Sequence, residues 1–332
     1  VSTSLAPVQA LVENPLLDSV PDGFVCILGT HPSRYSKSPE MWNAALRELG
    51  LSASYLPLDV AAPRIGDLIA ALSEMRAWWG GNVTVPHKEA VFGLVHDVDA
   101  SALAAGAINT IERTASGRLV GANTDGAGLI FALLDGAGEP PLVEGLHGAI
   151  VLVLGGGGAA RAAVAGLAPL LGTGEVLVMN RTESRARDLV DRAVSLGGRA
   201  RVVLDRGLDE ILPSVDILIN ASVVGQSGTG LEEYSPLAPA DDANGGTALS
   251  RTQRLAAHAV VMDMVYSPAE TILLRHARLA GRRGINGRGM LIGQAAESLV
   301  RHVCAREIAA KGIDAGHARS VARRAMLAAF GA

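Results

Sequence analysis

Four consecutive glycines, Gly155 to Gly158, stand where the strongly apolar run AIVLVL gives way to the helical pattern AARAAVAGLAPLL. Gly155, Gly157 and Ala160 fit the spacing G-x-G-x-x-A. Glycines at such a turn let the backbone approach a pyrophosphate, and the N–H groups and dipole of the following helix favour the anion. The expected cradle is Gly155, Gly156, Gly157, Gly158 and Ala159. The next apolar run, EVLVM, ends in Asn180, Arg181 and Thr182, with Arg185 a turn later. A dinucleotide site for NAD usually carries an acidic residue there, which would repel a 2′-phosphate; guanidinium groups can pair with one bidentately. The pattern therefore points to NADP, against the alternative that these arginines only decorate a solvated helix start.

Three further clusters hold residues suited to chemistry. In RYSKSPEMWN, Ser36 and Ser38 open a helix, where two hydroxyls could cradle a carboxylate or simply cap the helix. In NVTVPHKEAVF, Lys88 is expected on the first turn of a helix following Pro86. An ammonium is unfavourable there unless a partner or ligand requires it; a plain surface lysine is the alternative, and His87 reads as a packing or surface residue. In GANTDGAG, Asp125 either caps the next helix or faces a ligand.

The elements that must position these groups alternate between short strands and amphipathic helices. FVCILG, SYLPLDV and GGNVTVP read as strands, and PEMWNAALRELG and RIGDLIAALSEM as helices between them. GAINTIER and GRLVGANTD read as two strands joined by a turn at Ser116 and Gly117. From Asp125 onward come a helix, the glycine turn, and the strands EVLVMN, ARVVL, VDILINA and AVVMDMVY. The stretch from Gly225 to His258 reads as loop plus a short helix, and the chain after Asn286 as helical. This is an α/β layer pattern with a largely parallel sheet. Residues 1 to about 22 read as a mobile extension, and the basic stretch around Arg319, Arg323 and Arg324 as the solvated face of a terminal helix.

Composition narrows the function classes. With 332 residues the chain is long enough for two domains. Aromatic residues are only 3%, which leaves little for base-stacking platforms, and a net charge of −4 argues against a general polyanion binder. No nucleic-acid partner is expected. Cys26 and Cys304 do not form a disulfide or zinc framework, the histidines show no ligand spacing, and no metal is expected. No apolar run is long enough to span a bilayer, and the first residues lack the pattern of a signal peptide. No membrane partner is expected, and the cytoplasm is the expected location.

Taken together, the serine, lysine and NTD clusters with GAINT, GGGGAARA, NRT, DMVYSPAET and GRGMLIGQAAES resemble the shikimate dehydrogenase family, in its order and spacings, over roughly residues 24 to 305. The resemblance implies an α/β fold of two domains. One is an α/β substrate-binding domain, residues 1–123 plus 288–332. The other, 124–287, is a Rossmann-like NADP-binding domain with a parallel sheet, the active site lying in the cleft between them. It implies a reversible reaction in which NADPH reduces 3-dehydroshikimate to shikimate. Ser36 and Ser38 would then hold the substrate carboxylate. Asn82, Thr84, Asn109, Tyr266 and Gln294 would bind ring hydroxyls or line the pocket, and Lys88 and Asp125 would form the catalytic pair. Asn180, Arg181, Thr182 and Arg185 match the family's NADP-phosphate motif, and Met264 and Gly287 would lie near the nicotinamide. The implied partners are small molecules, with a monomer or homodimer as the assembly.

The chain departs from the family pattern at Tyr35, where a histidine is usual, and at Ser33 and Arg34, where an apolar residue is usual. It departs again at Ala122, at Gly225-Gln226 and at Ser267. These departures keep a quinate/shikimate or aminoshikimate dehydrogenase open as an alternative, and further off a non-catalytic metabolite sensor. Retention of Lys88 and Asp125 weighs against the sensor, and the arginines weigh against an NAD-linked quinate enzyme.

Overall fold

The computed structural model describes residues 3–20, 23–136, 140–238 and 246–331. It divides into two compact units, one of residues 1–124 with 292–332 and the other of residues 125–291. The helix Arg288–Ser298 runs across the second of these boundaries.

In the first unit, a two-stranded ribbon of β1 (Thr3–Ser4) and β2 (Ser19–Val20) precedes a six-stranded sheet. The sheet comprises β3 (Gly23–Gly29), β4 (Ala53–Asp59), β5 (Trp78–Val83), β6 (Asp97–Val98), β7 (Thr110–Arg113) and β8 (Leu119–Ala122). Their order is β4-β3-β5-β7-β8-β6. The first three strands are parallel, and β7 is antiparallel to both β5 and β8, as the hairpin reading of GAINTIER and GRLVGANTD requires. Every residue of β3 is buried, because the strand lies inside the sheet with apolar layers on both faces. The helices Ser38–Glu48 and Ile65–Glu74 turn Met41, Trp42, Ala45 and Leu46, and Ile65, Leu68, Ile69 and Leu72, inward at helical spacing. The C-terminal helix Ala315–Phe330 packs on Ser38–Glu48.

Three expectations for this unit are corrected. The N-terminal segment is not a mobile extension: Leu5, Val8, Val12 and Val20 are buried in the same core as Phe24, Leu28 and Leu58. Burying those four apolar side chains supplies the free energy that orders it. The stretch after Pro86 is not an α-helix either. It is a series of turns ending in the 3₁₀ segment Ala90–Gly93, because the Lys88 carbonyl accepts the N–H of Ile108 (2.8 Å) instead of a helical one. The dipole argument for Lys88 therefore falls away. Finally, the basic C-terminal helix is not wholly solvated, since Arg319 is half-buried and donates to Glu297 at 2.9 Å.

The second unit is a parallel sheet of β9 (Ile150–Leu154), β10 (Glu175–Met179), β11 (Ala200–Val202), β12 (Ile217–Asn220), β13 (Val260–Asp263) and β14 (Arg283–Ile285). The order is β11-β10-β9-β12-β13-β14 with every pairing parallel. Alternate residues of β9 go to opposite cores: Val151 and Val153 to one, Leu152 and Leu154 to the other. Both faces are thus covered, the doubly wound arrangement expected of the second half. The region from Gly225 to His258 carries the helix Gly246–Arg254, while residues 239–245 of that reading lie outside the described residues. Among the described residues no helix is long and apolar enough to cross a membrane.

Candidate active site

In the first unit, the expected substrate-side residues follow the carboxyl ends of β3 and β5 or stand on elements next to them. Ser38 is the first residue of its helix and is buried; its N–H donates to Ser36 Oγ at 3.2 Å. The same helix places Trp42 against the ring of Tyr55 on β4, stacked at 4.7 Å, while Asn43 bonds the Tyr55 N–H and carbonyl. The Tyr55 hydroxyl, so held, donates to Asn82 Oδ1 at 2.8 Å and also hydrogen-bonds the Ser38 side chain. Burial drives the Tyr55 phenol well above its ordinary range, so it stays a donor.

Asn82 extends the chain of contacts. Its Nδ2 donates to Ser298 Oγ at 2.9 Å, to the Asn109 carbonyl at 3.3 Å and to Thr110 Oγ1 at 3.4 Å. Asn109 Oδ1 accepts from the Thr124 N–H and from Thr110 Oγ1, each at 2.9 Å. Asn109 Nδ2 donates to Thr124 Oγ1 at 3.1 Å and to Gln294 Oε1 at 3.3 Å. Ser38, Asn82, Asn109 and Gln294 therefore belong to one connected network of neutral amides and hydroxyls. Thr84, just past β5, is hydrogen-bonded by Tyr35, the residue that replaces the usual histidine. Lys88 is half-buried in the turns that follow.

In the second unit, the glycine loop lies between the carboxyl ends of β9 and β12, where the strand order reverses and ligands of such sheets bind. Gly155 has φ +133°, and a Cβ there would sit 2.8 Å from the Ala221 carbonyl, so no other residue fits. A Cβ on Gly156 would meet Asn180 at 2.7 Å and Arg185 at 3.0 Å, which brings the NRT segment directly beside the loop. Gly157 caps the helix Gly158–Leu167 without any side-chain hydrogen bond, and nothing lies within 4 Å of the Cβ positions of Gly157 and Gly158. The space beside these glycines, at a helix N-terminus, leaves room for a pyrophosphate. Arg181, Thr182 and Arg185 are exposed, and neither arginine is in an ion pair among the described residues. Glu183, the carboxylate nearest to them in sequence, is engaged by Arg187. The residues present thus fit a dinucleotide with an extra phosphate.

Asp125, buried, begins the helix Asp125–Leu134, which packs closely on the glycine-loop helix where Gly126 faces Ala162 and Gly166. Met264 and Gly287 are brought together: a Cβ on Gly287 would lie 2.1 Å from the Met264 carbonyl. Tyr266 follows in the same unit, so it and Asp125 belong to a different unit from the other expected substrate residues.

Sequence reasoning missed Tyr55, Thr110 and Ser298. Ser298 stands four residues after Gln294 on one helix face, and Thr110 directly follows Asn109, so spacing could have found both. It also missed Asp263 at the end of β13, fully buried and bonded by Thr271 Oγ1 (2.6 Å), Asn220 Nδ2 (2.9 Å) and the Val265 N–H (3.0 Å). Burial pushes this carboxylic acid up to about 6 against the opposing pull of those three donors.

A parallel, doubly wound unit with an open glycine loop and exposed arginines beside it, in one chain with a mixed-sheet unit bearing a polar network, defines a two-domain nicotinamide-nucleotide oxidoreductase. Residues 28–111 match the family model described as the shikimate dehydrogenase substrate binding domain. The chain is 38% identical over 288 residues to shikimate dehydrogenase (NADP(+)) of Rubrobacter xylanophilus, covering 84% of this chain and 92% of that protein. Among solved structures, a shikimate dehydrogenase in complex with NADP+ matches with a TM-score of 0.73 at 28% identity, over 95% of this chain and 99% of the other. The enzyme of Thermus thermophilus in complex with NADP(H) and shikimate matches with a TM-score of 0.67 at 32% identity, over 91% and 99%. The chain belongs to the shikimate dehydrogenase family.

Proposed function

We propose that this protein interconverts 3-dehydroshikimate and shikimate with NADPH and NADP+, acting in the cytoplasm on the route to aromatic amino acids. The observation that carries the reading is the pair of contacts made by Tyr55. They join Ser38, suited to a carboxylate, to Asn82 and the amide network, suited to hydroxyls. A small ring acid with several hydroxyl groups needs both ends of such a site.

Ser36 and Ser38 bind the carboxylate, and Asn82, Thr84, Asn109 and Gln294, with Tyr266, orient the ring. Because the amides are locked to one another, their orientation is set before substrate arrives, which limits the ordering cost of binding. The glycine loop and Ala159 hold the pyrophosphate. Asn180, Arg181, Thr182 and Arg185 hold the 2′-phosphate, and Met264 and Gly287 border the nicotinamide. Bound NADPH supplies the hydride. Lys88 directs its ammonium at the carbonyl oxygen that gains negative charge and delivers the proton, and Asp125 favours the charged form of that lysine. In the reverse direction Lys88 accepts the hydroxyl proton.

Steady-state assays of shikimate and quinate, each with NADP+ and NAD+, test the reading. The highest kcat/KM is expected for shikimate with NADP+. A higher value for quinate with NAD+ overturns the choice of substrate, and binding of shikimate without turnover by either nucleotide overturns the enzyme.

A further inference from the structure

The loop that carries Ser36 and Ser38 is held from outside itself. It begins with the helical turn Pro32–Tyr35, whose N-cap residue, His31, makes no side-chain hydrogen bond to it. The N–H groups of a first helical turn need acceptors. Here the acceptor is Asp59, the last residue of β4: its Oδ1 takes the Ser33 N–H at 2.9 Å and its Oδ2 the Ser33 hydroxyl at 2.5 Å. Asp59 is buried, so these are charge-assisted bonds shielded from water. Within the turn the Ser36 N–H returns to the Pro32 carbonyl at 3.0 Å, and the Ser38 N–H to Ser36 Oγ. The position of Ser33 is thereby passed to both serines.

Asp59 is in turn held by the N-terminal segment. Among the described residues β4 is an edge strand, paired with β3. Its open side at Pro57 to Asp59 is closed by Asn14, whose Nδ2 donates to the Pro57 carbonyl at 2.9 Å and whose Oδ1 accepts the Asp59 N–H at 2.7 Å. The Glu13 N–H adds a bond to the Asp59 carbonyl at 2.8 Å. Gln9 braces this turn, donating to the Asn14 carbonyl and accepting the Leu16 N–H. The whole segment is anchored in the core by Leu5, Val8, Val12 and Val20.

We propose that Asn14 and Asp59 are positioning residues that aim the Ser36–Ser38 loop, so that the N-terminal segment sets the affinity for the substrate carboxylate. The inference rests on the reading of Ser36 and Ser38 given above. Ser33, a departure from the family pattern, is the contact through which the segment reaches the loop.

The test compares the wild-type chain with Asp59→Ala, Asp59→Asn, Asn14→Ala, Ser33→Ala and Ser36→Ala, measuring KM for shikimate, KM for NADP+, kcat and Tm. Losing the bonds to the buried carboxylate should raise KM for shikimate roughly tenfold in Asp59→Ala. Asn14→Ala and Ser33→Ala should raise it about threefold, each removing part of the same set. KM for NADP+ should stay within about twofold, and Asp59→Asn, which keeps an acceptor for the Ser33 N–H, should recover most of the loss. Ser33 is exposed, so its variant reports on the contact even if Asp59→Ala does not fold. Variants that lower Tm while leaving both KM values unchanged overturn the proposal. So does a parallel rise in both KM values. Wild type without shikimate turnover overturns the functional reading itself, and an unchanged KM in Ser36→Ala overturns the carboxylate role on which the inference stands.

Discussion

Both units hold a buried polar cluster that ties strands of the sheet to neighbouring elements, yet the two clusters are made of different chemistry. In the first unit it is neutral: Tyr55, Asn82, Asn109, Thr110 and Ser298 exchange amide and hydroxyl hydrogen bonds. In the second it is built on a carboxylate, Asp263, which gathers Asn220, Thr271 and the backbone of Val265. Asn220 then fixes the loop after β12, accepting the Ser222 N–H at 3.0 Å and donating to the Val224 carbonyl at 3.0 Å. A buried amide pays no ionisation cost and keeps its donors and acceptors at any pH where proteins fold. A buried carboxylate binds its donors more strongly but carries its titration into the core. The comparison separates groups that frame a site from groups that act in it, and the experiments below press on that separation.

The largest effect is expected at Lys88, the proposed proton donor. Its replacement by alanine should lower kcat by about 10²-fold or more, the usual worth of a positioned general acid, with a smaller change in substrate KM. The residue is half-buried in turns outside any helix or strand, so Tm should move little. A variant with wild-type kcat would remove Lys88 from the mechanism, and one with a collapsed Tm would make it part of the frame.

The next effect concerns Asp263 and has a definite sign. With its folded pKa raised from 3.8 to about 6, the native state holds a proton that the unfolded chain releases between those values. Stability from this group is therefore present at about pH 4 and lost as pH rises to about 6, by at most about 3 kcal/mol. Asn in its place can still accept from Val265 and Asn220 but does not titrate. The Tm of Asp263→Asn relative to wild type should climb between about pH 4 and pH 7. A difference that is flat with pH would show that the three donors fully offset burial. The neutral network of the first unit provides the contrast: Asn109→Ala should cost stability equally at both ends of the range.

The same contrast explains what was legible in the sequence. The parallel sheet and the glycine loop could be read because their signals are local: an apolar run, glycines at fixed offsets, and a helix of small residues. The hairpin after Asn109 could be read from its turn. β14 and the ribbon of β1 and β2 could not, being too short to show alternation. Val8 and Val12 in a segment mixed with Pro, Asn and Asp looked like a tail, since a core partner supplied by β3 and β4 leaves no trace in the local pattern. The turns after Pro86 escape a local reading for the same reason: the bond that stops a helix there comes from Ile108, about twenty residues beyond Lys88 in sequence. Tyr55 and Ser298 meet at Asn82 only through the fold, whereas Ser36, Ser38 and Lys88 stood out through unusual local company.

The smallest expected effect lies on the solvent side of the second unit, at Arg181. It is exposed, and the carboxylate nearest in sequence, Glu183, is engaged by Arg187. An arginine on a surface contributes little by itself, so Arg181→Ala should leave Tm unchanged. Toward a 2′-phosphate the same guanidinium can make paired charge-assisted bonds, and its loss should raise KM for NADP+ about tenfold while KM for NAD+ stays within about twofold. Added salt should narrow the wild-type preference for NADP+, because the contact is open to screening, and should have less effect on the variant. Equal losses with both nucleotides would mean that Arg181 shapes the glycine loop through its neighbours Asn180 and Arg185 and does not read the phosphate. The reading side of this unit would then be framed like the substrate side, and the distinction between the two would narrow to Asp263 alone.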